Sequence, residues 1–369
     1  MFLKELKKTW KRSDIFIAFF IICIIQGVFV WKLIPSDAGE YLEAYEKYGG
    51  QMDEEWKVRI NNEYEEYLND ENKLRDEMDY YQPDFLVLHD AWYYTDFNSI
   101  AEDYVKSYKA GMAQRDPLYD IDRISETYRK IEEQSDQFIF GSNIARVVMV
   151  RSLSMFSKCI LMFLVFLLAS FFTREQDTGM DALLSTSRNG RRKLGYIKLA
   201  VCQSSALLVS VILIGLSAVI IYIRTGWVGM DSVVQDFRNG YNTCPYVWNN
   251  GRYLSVILFV SLLTCQVAAA VVFVLSQYLK TTIKIICISL AILLMPVLLF
   301  QNFHHWLLGL WFSNFIAGEH LWNSFYEFRI GQIYISCWQI AVIELVVLFM
   351  ALSCILVRMG KERKCERFD

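Results

Sequence analysis

The chain has 369 residues, of which 54% are hydrophobic and 21% charged, and its mean hydropathy is +0.25. These values favour a polytopic membrane protein over a soluble globular one. The formal net charge of −3 hides an asymmetry, because residues 36–143 contain 27 acidic and 11 basic side chains, whereas the remainder contains 13 acidic and 26 basic ones. Lys and Arg bias flanking loops to the cytoplasmic side, so this split predicts an acidic domain outside the membrane and basic loops inside.

The N-terminal segment, residues 1–14, is basic and carries apolar side chains at helical spacing, which predicts an amphipathic helix on the inner membrane surface. The apolar run at residues 15–35 is long for the core of a signal peptide, and no small-residue cleavage site follows it before Pro35. We therefore expect an uncleaved first transmembrane helix. Ser36 and Asp37 then offer an N-cap for the next helix.

Residues 36–146 are predicted to form a helical extracytoplasmic domain between the first and second spans. Two series of apolar residues recur at helical spacing and predict amphipathic helices. The first series is Trp56, Ile60, Tyr64, Tyr67 and Leu68, and the second is Ile121, Ile124, Tyr128, Ile131 and Phe138. Between them, Tyr80 to Phe97 breaks the period with Pro83 and a dense aromatic group, so we expect an irregular connection there.

The aromatic group Trp92, Tyr93 and Tyr94 has two interpretations. Tyr and Trp suit binding surfaces where one end of the ring is apolar and the other is wet. The same rings also serve as the core of a small helical domain, and we favour that interpretation.

Five further transmembrane helices are predicted, giving an all-α integral membrane protein with six spans and both termini in the cytoplasm. The second span occupies residues 147–172, and the other four lie within 199–357, where Pro296 is expected to kink the fifth. The segment near 304–331 is too short and too interrupted to cross the bilayer, which predicts a re-entrant or interfacial segment. The basic tail, residues 358–369, is predicted to lie in the cytoplasm. The protein itself is expected in the plasma membrane.

The loop at residues 173–198 lies between two spans and carries six basic residues, which predicts a cytoplasmic location. Within it, Met180, Leu183 and Leu184 fall at positions i, i+3 and i+4, so a short helix there would have one apolar face. Gly190 lets the chain turn back toward the next span. The loop is therefore either a docking element or an ordinary basic loop that only fixes the topology.

The same loop carries a recognisable order of residue types. An acidic residue after a span, a glycine, a Leu-Leu pair, a serine, a Gly-Arg turn and a lysine that opens the next span together resemble the membrane subunits of type-2 ABC exporters. The residues of the pattern are Glu175, Gly179, Leu183, Leu184, Ser185, Arg188, Gly190, Arg191 and Lys198. The resemblance implies a coupling helix that docks on a separate ATPase subunit. It places Glu175 and Arg188 in polar contacts with that subunit, and Leu183 and Leu184 in apolar ones.

The resemblance also implies the partners. No GxxxxGK[ST] phosphate loop occurs in the chain, so we expect it to be a transport subunit without enzymatic activity, with ATP and Mg²⁺ bound by a dimeric ABC ATPase. A second permease subunit, identical or homologous, is implied as well. The basic segments all flank spans, which favours contact with membrane lipids and argues against nucleic acid.

A metal site is not expected. The nine cysteines include no CxxC pair, and the adjacent His304 and His305 do not share one helix face.

Within the spans, Glu344 is the most notable polar residue, because an ionisable group near the middle of a membrane normally faces protein or water. It is a candidate for a role in the transport pathway or for an interhelical hydrogen bond. Gln339 is a second candidate for such a role, and glutamines in spans are more often interhelical hydrogen-bonding groups than substrate contacts. Gln26, Gln203 and Gln266 belong to the same class.

The sequence thus predicts the permease subunit of an ABC transporter that exports an amphipathic molecule such as a peptide antibiotic, a lipid, a drug or an envelope component. The large extracytoplasmic domain departs from the family's minimal members and slightly favours peptide or envelope work. Two alternatives remain. One is a membrane-anchored sensor or scaffold whose outer domain binds a ligand, and the less favoured one is an integral-membrane enzyme, for which no catalytic set of residues is present.

Overall fold

The computed structural model gives a predominantly helical protein. The structure describes residues 13–69, 82–96, 133–177, 190–235, 246–279, 281–303, 306–318, 327–330 and 333–365, and the single residues 3, 6, 10, 129, 131, 244 and 321. The predicted helix at residues 1–14 therefore lies largely outside the described residues. Of that segment, Trp10 packs edge-on against Phe19 with ring centroids 5.7 Å apart.

The domain that follows the first span is called here the interspan domain (residues 36–143). Its helices are α2 (Ala38–Tyr48), α3 (Glu54–Asn69) and α4 (Pro83–Thr95). Asp37 occupies the N-cap position of α2, but its side chain makes no capping hydrogen bond. The predicted helix around Trp56 and Ile60 is confirmed as α3. The strands β1 (Gly50–Gln51) and β2 (Ile139–Phe140) pair antiparallel and bring the two ends of the domain together.

The expectation of an irregular connection from Tyr80 to Phe97 is wrong, because α4 occupies most of it. Pro83 stands at the start of this helix, where its missing N–H costs nothing and its fixed φ favours the helical turn. The proline therefore marked the beginning of a helix and did not interrupt one. Of the second predicted series, Ile121, Ile124 and Tyr128 lie outside the described residues.

Within the described residues, six helices are long and apolar enough to cross a membrane, which is consistent with a multi-pass membrane protein. Their apolar parts agree closely with the predicted spans. They are Ser13–Leu33, Ile144–Ala169, Tyr196–Thr225, Asn250–Tyr278, Thr282–Phe300 and Cys337–Ile355. The corresponding elements are α1 (Ser13–Leu33), α5 (Ile144–Asp177), α6 (Gly190–Thr225), α7 (Asn250–Tyr278), α8 (Thr282–Leu293) with α9 (Met295–Phe303), and α11 (Cys337–Cys365).

Helices α5, α6 and α7 form the centre of the bundle and pack against one another. Their contact faces are aliphatic or small, including Leu164, Ala206 and Ala269, all fully buried. Polar groups also join the helices. The Gln26 amide nitrogen on α1 donates to the Ser217 hydroxyl on α6 at 2.8 Å, and that hydroxyl lies 3.0 Å from Ser152 Oγ on α5. This confirms Gln26 as an interhelical hydrogen-bonding group.

The fifth span is interrupted at Leu294, two residues before Pro296, as the proline predicts. Proline has no N–H to offer the carbonyl four residues earlier, which is that of Ile292. The indole N–H of Trp311 donates to this carbonyl at 3.0 Å and so replaces the missing backbone bond. The break in the helix is therefore stabilised by a side chain from the next segment of the chain.

The segment after α9 begins with the short helix α10 (Trp306–Gly309) and continues to Gly318. Phe312, Phe315 and Ile316 are buried in the core of the bundle, and the Ala317 N–H donates to Ser261 Oγ on α7 at 3.1 Å. A hairpin of β3 (Glu327–Ile330) and β4 (Ile333–Ser336) follows this segment. The all-α prediction did not include it, although the described structure is mostly helical, as predicted. The sixth apolar helix begins directly after β4, at Cys337.

Candidate functional site

The coupling residues predicted from the basic loop are only partly within the described structure. Glu175 lies in the last turns of α5, and Gly190 and Arg191 lie in the first turn of α6, all three described at the backbone only. Five of the predicted coupling residues fall outside the described residues. These are Gly179, Leu183, Leu184, Ser185 and Arg188. Their role stays a prediction.

The two helices that flank this loop are unusually long. Helix α5 has 34 residues and α6 has 36, so at 1.5 Å per residue each is about 50 Å long and exceeds the hydrocarbon core of a bilayer, which is about 30 Å thick. Helix α5 starts next to β2 of the interspan domain and ends at Asp177. The ends of α5 and α6 that flank the basic loop therefore lie at the opposite end of the bundle from the interspan domain.

At the interspan end, the chain between α6 and α7 forms a set of contacts that we call the junction (residues 226–235, with 141–146, Cys244 and 246–253). Gly226, Trp227 and Gly229 all have positive φ angles, which turn the chain sharply after α6. The junction then joins the interspan domain directly, because the Val233 N–H donates to the Ile139 carbonyl of β2 at 3.0 Å. Val233 is also buried in the core of the interspan domain.

Asn250, the first residue of α7, is the central hydrogen-bonding group of the junction. Its side-chain amide is fully buried and donates to the Gly229 carbonyl and to Asn143 Oδ1, both at 2.8 Å. Gly229 itself approaches the backbone of Ser142 so closely that a Cβ atom there would clash with the Ser142 carbonyl group. The Asn250 side chain thus joins three segments of the chain. They are the residues before α5, the residues after α6 and the start of α7.

Gln235 connects the junction to α4 of the interspan domain. Its buried amide nitrogen donates to the carbonyls of Cys244 and Tyr246, at 3.0 and 2.9 Å. Its backbone carbonyl accepts a hydrogen bond from the Tyr94 hydroxyl. Tyr94 is buried and packs on Phe140 with ring centroids 5.1 Å apart. A movement of α4 would therefore displace the loop that connects α6 to α7.

A buried cation lies in the same place. Arg146, in the first turn of α5, is fully buried, and its guanidinium group lies over the ring of Tyr253 at 5.7 Å from the centroid. Cys244 is close to it. Burial raises the pKa of the Cys244 thiol to about 12, and the positive charge of Arg146 acts in the opposite direction. The thiol is therefore neutral at physiological pH and behaves as a small apolar core group.

Comparison with protein-family models, with curated proteins and with solved structures found no match to this chain. The resemblance of the basic loop to type-2 ABC exporters is thus carried by its own residues alone.

The two polar candidates within the sixth span are placed differently from each other. Gln339 lies in the first turn of α11, and its side-chain oxygen accepts the Ser336 N–H at 3.1 Å, so it caps the N-terminus of its own helix. Glu344 is half-buried one turn further on, and its carboxyl group faces the backbone amide of Phe312 in the segment that packs against α7. Glu344 thus contacts the irregular segment between the fifth and sixth spans.

The aromatic group of the interspan domain divides between the two interpretations. Tyr94 is buried, whereas Trp92 is 37% and Tyr93 41% exposed. Tyr94 therefore belongs to the core of the domain, the interpretation that we favoured, whereas Trp92 and Tyr93 lie at its surface.

The junction was missed by sequence reasoning. Arg146, Gln235 and Asn250 each stand alone in the sequence, and no spacing connects them. One signal was available, because an arginine and an asparagine at the ends of apolar runs are positions where polar groups become buried when loops fold over the helix ends. Within the described residues, no group of three or more potential metal ligands comes together.

Proposed function

We propose that this chain is the membrane-spanning permease subunit of an ABC exporter and couples to a separate ATPase through its basic loop, residues 173–198. The observation that supports this most directly is the pair α5 and α6. These helices pack against each other and run from the junction to the two ends of the loop. A force applied to the loop would be transmitted along both helices to the interspan domain.

The junction supports the same proposal at the other end. Asn250, Gly229 and Val233 fix the ends of α5 and α6 to β2 and to α7 through buried hydrogen bonds. Buried hydrogen bonds of this kind resist separation, because each unpaired group would cost about 1–3 kcal/mol. Movement of the two helices would therefore be transmitted to the interspan domain and would not be lost in a flexible linker.

The partners follow from the proposal. The chain provides the pathway with a second permease subunit, whether identical or homologous, and a dimeric ATPase binds ATP and Mg²⁺. Membrane lipids surround the exposed apolar faces, such as that of α1, which carries Phe16, Ile17 and Ile24 at about half exposure. The proposed location is the plasma membrane, with both termini and the basic loop in the cytoplasm and the interspan domain outside.

The test is capture of the partner by the full-length chain. Tagged chain is purified in mild detergent from its native membranes, and bound proteins are identified by mass spectrometry and assayed for ATP hydrolysis. We expect an ATPase with Walker motifs. We expect the double variant Leu183→Ala, Leu184→Ala to bind this ATPase at least about a hundredfold more weakly, since two leucines buried on docking would together contribute about 3–6 kcal/mol.

The matched control is Leu207→Ala, Leu208→Ala on α6, where both side chains are more than 40% exposed on the outside of the bundle. This variant should capture the ATPase normally. Capture and hydrolysis that are unaffected by loss of Leu183 and Leu184 would contradict the docking role of the loop. A captured kinase or protease in place of an ATPase would favour the alternative, a membrane-anchored sensor or scaffold.

A further inference from the structure

The interspan domain presents a cluster of rings that we call the aromatic face (Tyr64, His89, Trp92 and Tyr93). Tyr64 of α3 stacks on Trp92 of α4 with centroids 4.7 Å apart and an angle of 13° between the planes. His89 meets Tyr93 edge-on at 4.8 Å and lies within about 6 Å of both Tyr64 and Trp92. The rings thus form one continuous surface across two helices.

This surface is more than the outer edge of the core. The core beneath it is already closed by Phe85 and Ile60, which are 5% and 0% exposed. Trp92 and Tyr93 point away from that core, and they remain 37% and 41% exposed. Large rings held rigidly in contact with solvent are typical of recognition surfaces, because they bind with little loss of conformational entropy.

The charge around the aromatic face is negative. Helices α2, α3 and α4 contain ten acidic and three basic side chains. Lys47 is paired with Asp84 at 3.2 Å, and Lys57 is paired with Glu54 at 2.8 Å and with Asp136 at 3.0 Å. Two of the three basic side chains therefore form ion pairs within the domain. The surface of the three helices carries an excess of carboxylates.

Carboxylates also stand next to the rings themselves. Asp96 follows Trp92 by four residues and Tyr93 by three, which places it beside them at the end of α4. Glu65 lies one turn after Asn61, whose side-chain oxygen accepts a hydrogen bond from the Thr95 hydroxyl of α4 at 3.3 Å, so Glu65 is exposed along the side of α3 that faces the end of α4. Such a surface attracts cations twice, through the negative faces of the rings and through the carboxylates, and it repels phosphate-rich polymers and anionic lipid.

We propose that the aromatic face binds a cationic peptide segment in which Lys or Arg alternates with apolar residues. The apolar side chains pack on Trp92 and Tyr64, and the cations lie over the rings and beside Asp96 and Glu65. This inference does not depend on the proposed transport function. The surface would serve an exporter and a sensor equally, and the test uses the chain without any ATPase.

The test uses full-length chain in nanodiscs of neutral phosphatidylcholine and a labelled synthetic peptide of about twelve residues in which Lys and Leu alternate. We expect saturable binding that weakens at least tenfold when the salt concentration rises from about 50 to about 300 mM. A peptide with Gln in place of every Lys should bind at least tenfold more weakly. Trp92→Ala should reduce the affinity for the Lys peptide about tenfold, and Trp92→Phe should retain most of it.

Matched controls distinguish peptide binding at the aromatic face from general effects of charge or stability. Glu65→Gln with Asp96→Asn should weaken binding severalfold, whereas Glu40→Gln, an exposed carboxylate at the start of α2, should not. Val58→Ala, exposed on α3 away from the rings, should bind as the wild type does. Equal affinity for the Lys and Gln peptides, or an unchanged affinity in both Trp92→Ala and Glu65→Gln with Asp96→Asn, would overturn the proposal. Thermal unfolding of each variant shows that the domain is folded.

Discussion

The interspan domain and the helical bundle are built on two different kinds of core. The core of the domain is rich in aromatic side chains, including Trp56, Phe85, Tyr94 and Phe140. The core of the bundle is mainly aliphatic and contains the adjacent small residues Ala268 and Ala269 on α7. The domain is polar outside, whereas the outward faces of the bundle are as apolar as its interior.

The difference reflects the solvent that each region faces. A small domain in water must bury much apolar area per residue, and aromatic side chains bury the most. Helices in lipid gain little from burying apolar area, because lipid is as apolar as the core, so they depend on close approach of small residues and on interhelical hydrogen bonds. The Gln26, Ser217 and Ser152 cluster is an example of the second device.

The largest expected effect is Trp56→Ala in the domain. Trp56 is 4% exposed, its ring lies 5.7 Å from that of Phe140, and its indole N–H donates to the Tyr48 carbonyl at 2.9 Å. Loss of the ring should destabilise the domain by about 3–5 kcal/mol through the cavity and the unpaired carbonyl. Hydrogen exchange should accelerate in α2, α3 and α4 and stay unchanged in α7.

Its control is Val58→Ala on the exposed side of the same helix, which should change the stability by less than about 0.5 kcal/mol. If Trp56→Ala also accelerated hydrogen exchange in α7, the domain and the bundle would unfold as one cooperative unit and would not have two independent cores.

A smaller effect is expected from Ala269→Leu in the bundle. Ala269 is fully buried on α7, and its carbonyl accepts from the Cys202 thiol on α6 at 3.4 Å. A larger side chain would force the two helices apart at a cost of about 1–3 kcal/mol, although it is more hydrophobic. The measurement is the thermal midpoint in detergent, and Val211→Leu, half-exposed on α6, should leave the midpoint unchanged. A rise in stability for Ala269→Leu would mean that hydrophobicity, and not close approach, stabilises the bundle.

The smallest effect concerns the junction and is pH-dependent. Burial raises the pKa of the Cys244 thiol from 9.0 to about 12, so the thiol ionises at lower pH in the unfolded chain than in the folded protein. Its contribution to stability is therefore complete below about pH 8 and is lost as the pH rises toward 12, by about 1.4 kcal/mol at pH 10.

Chemical unfolding at pH 7 and pH 10 measures this term. The wild type should lose more stability between the two values than Cys244→Ala, which has no thiol to ionise. Equal losses in the two proteins would show that Cys244 is accessible to water in the folded state and that the junction is open.

Much of the architecture was predicted from the sequence, because its signals are local. The six apolar helices follow from runs of hydrophobic residues, the break in the fifth from Pro296, and α3 from the spacing of Trp56 and Ile60. The hairpin β3–β4 was not predicted, since β-branched and aromatic residues at the start of the sixth apolar run have the same pattern in a strand as in a buried helix. Among the candidate site residues, Gln339 was identified as polar within a span but not as a helix cap.

The sequence by itself determined the membrane class, the number of apolar helices and the separation of acidic and basic segments, since each depends on composition over neighbouring residues. Only the tertiary structure decided that Asn250, Gln235 and Arg146 meet in one junction, that Trp311 replaces the hydrogen bond lost at Pro296, and that Trp92 is exposed while Tyr94 is buried. The physical reason is that these contacts join residues far apart in the chain. Their partners are selected by packing and hydrogen bonding in three dimensions, which no local pattern records.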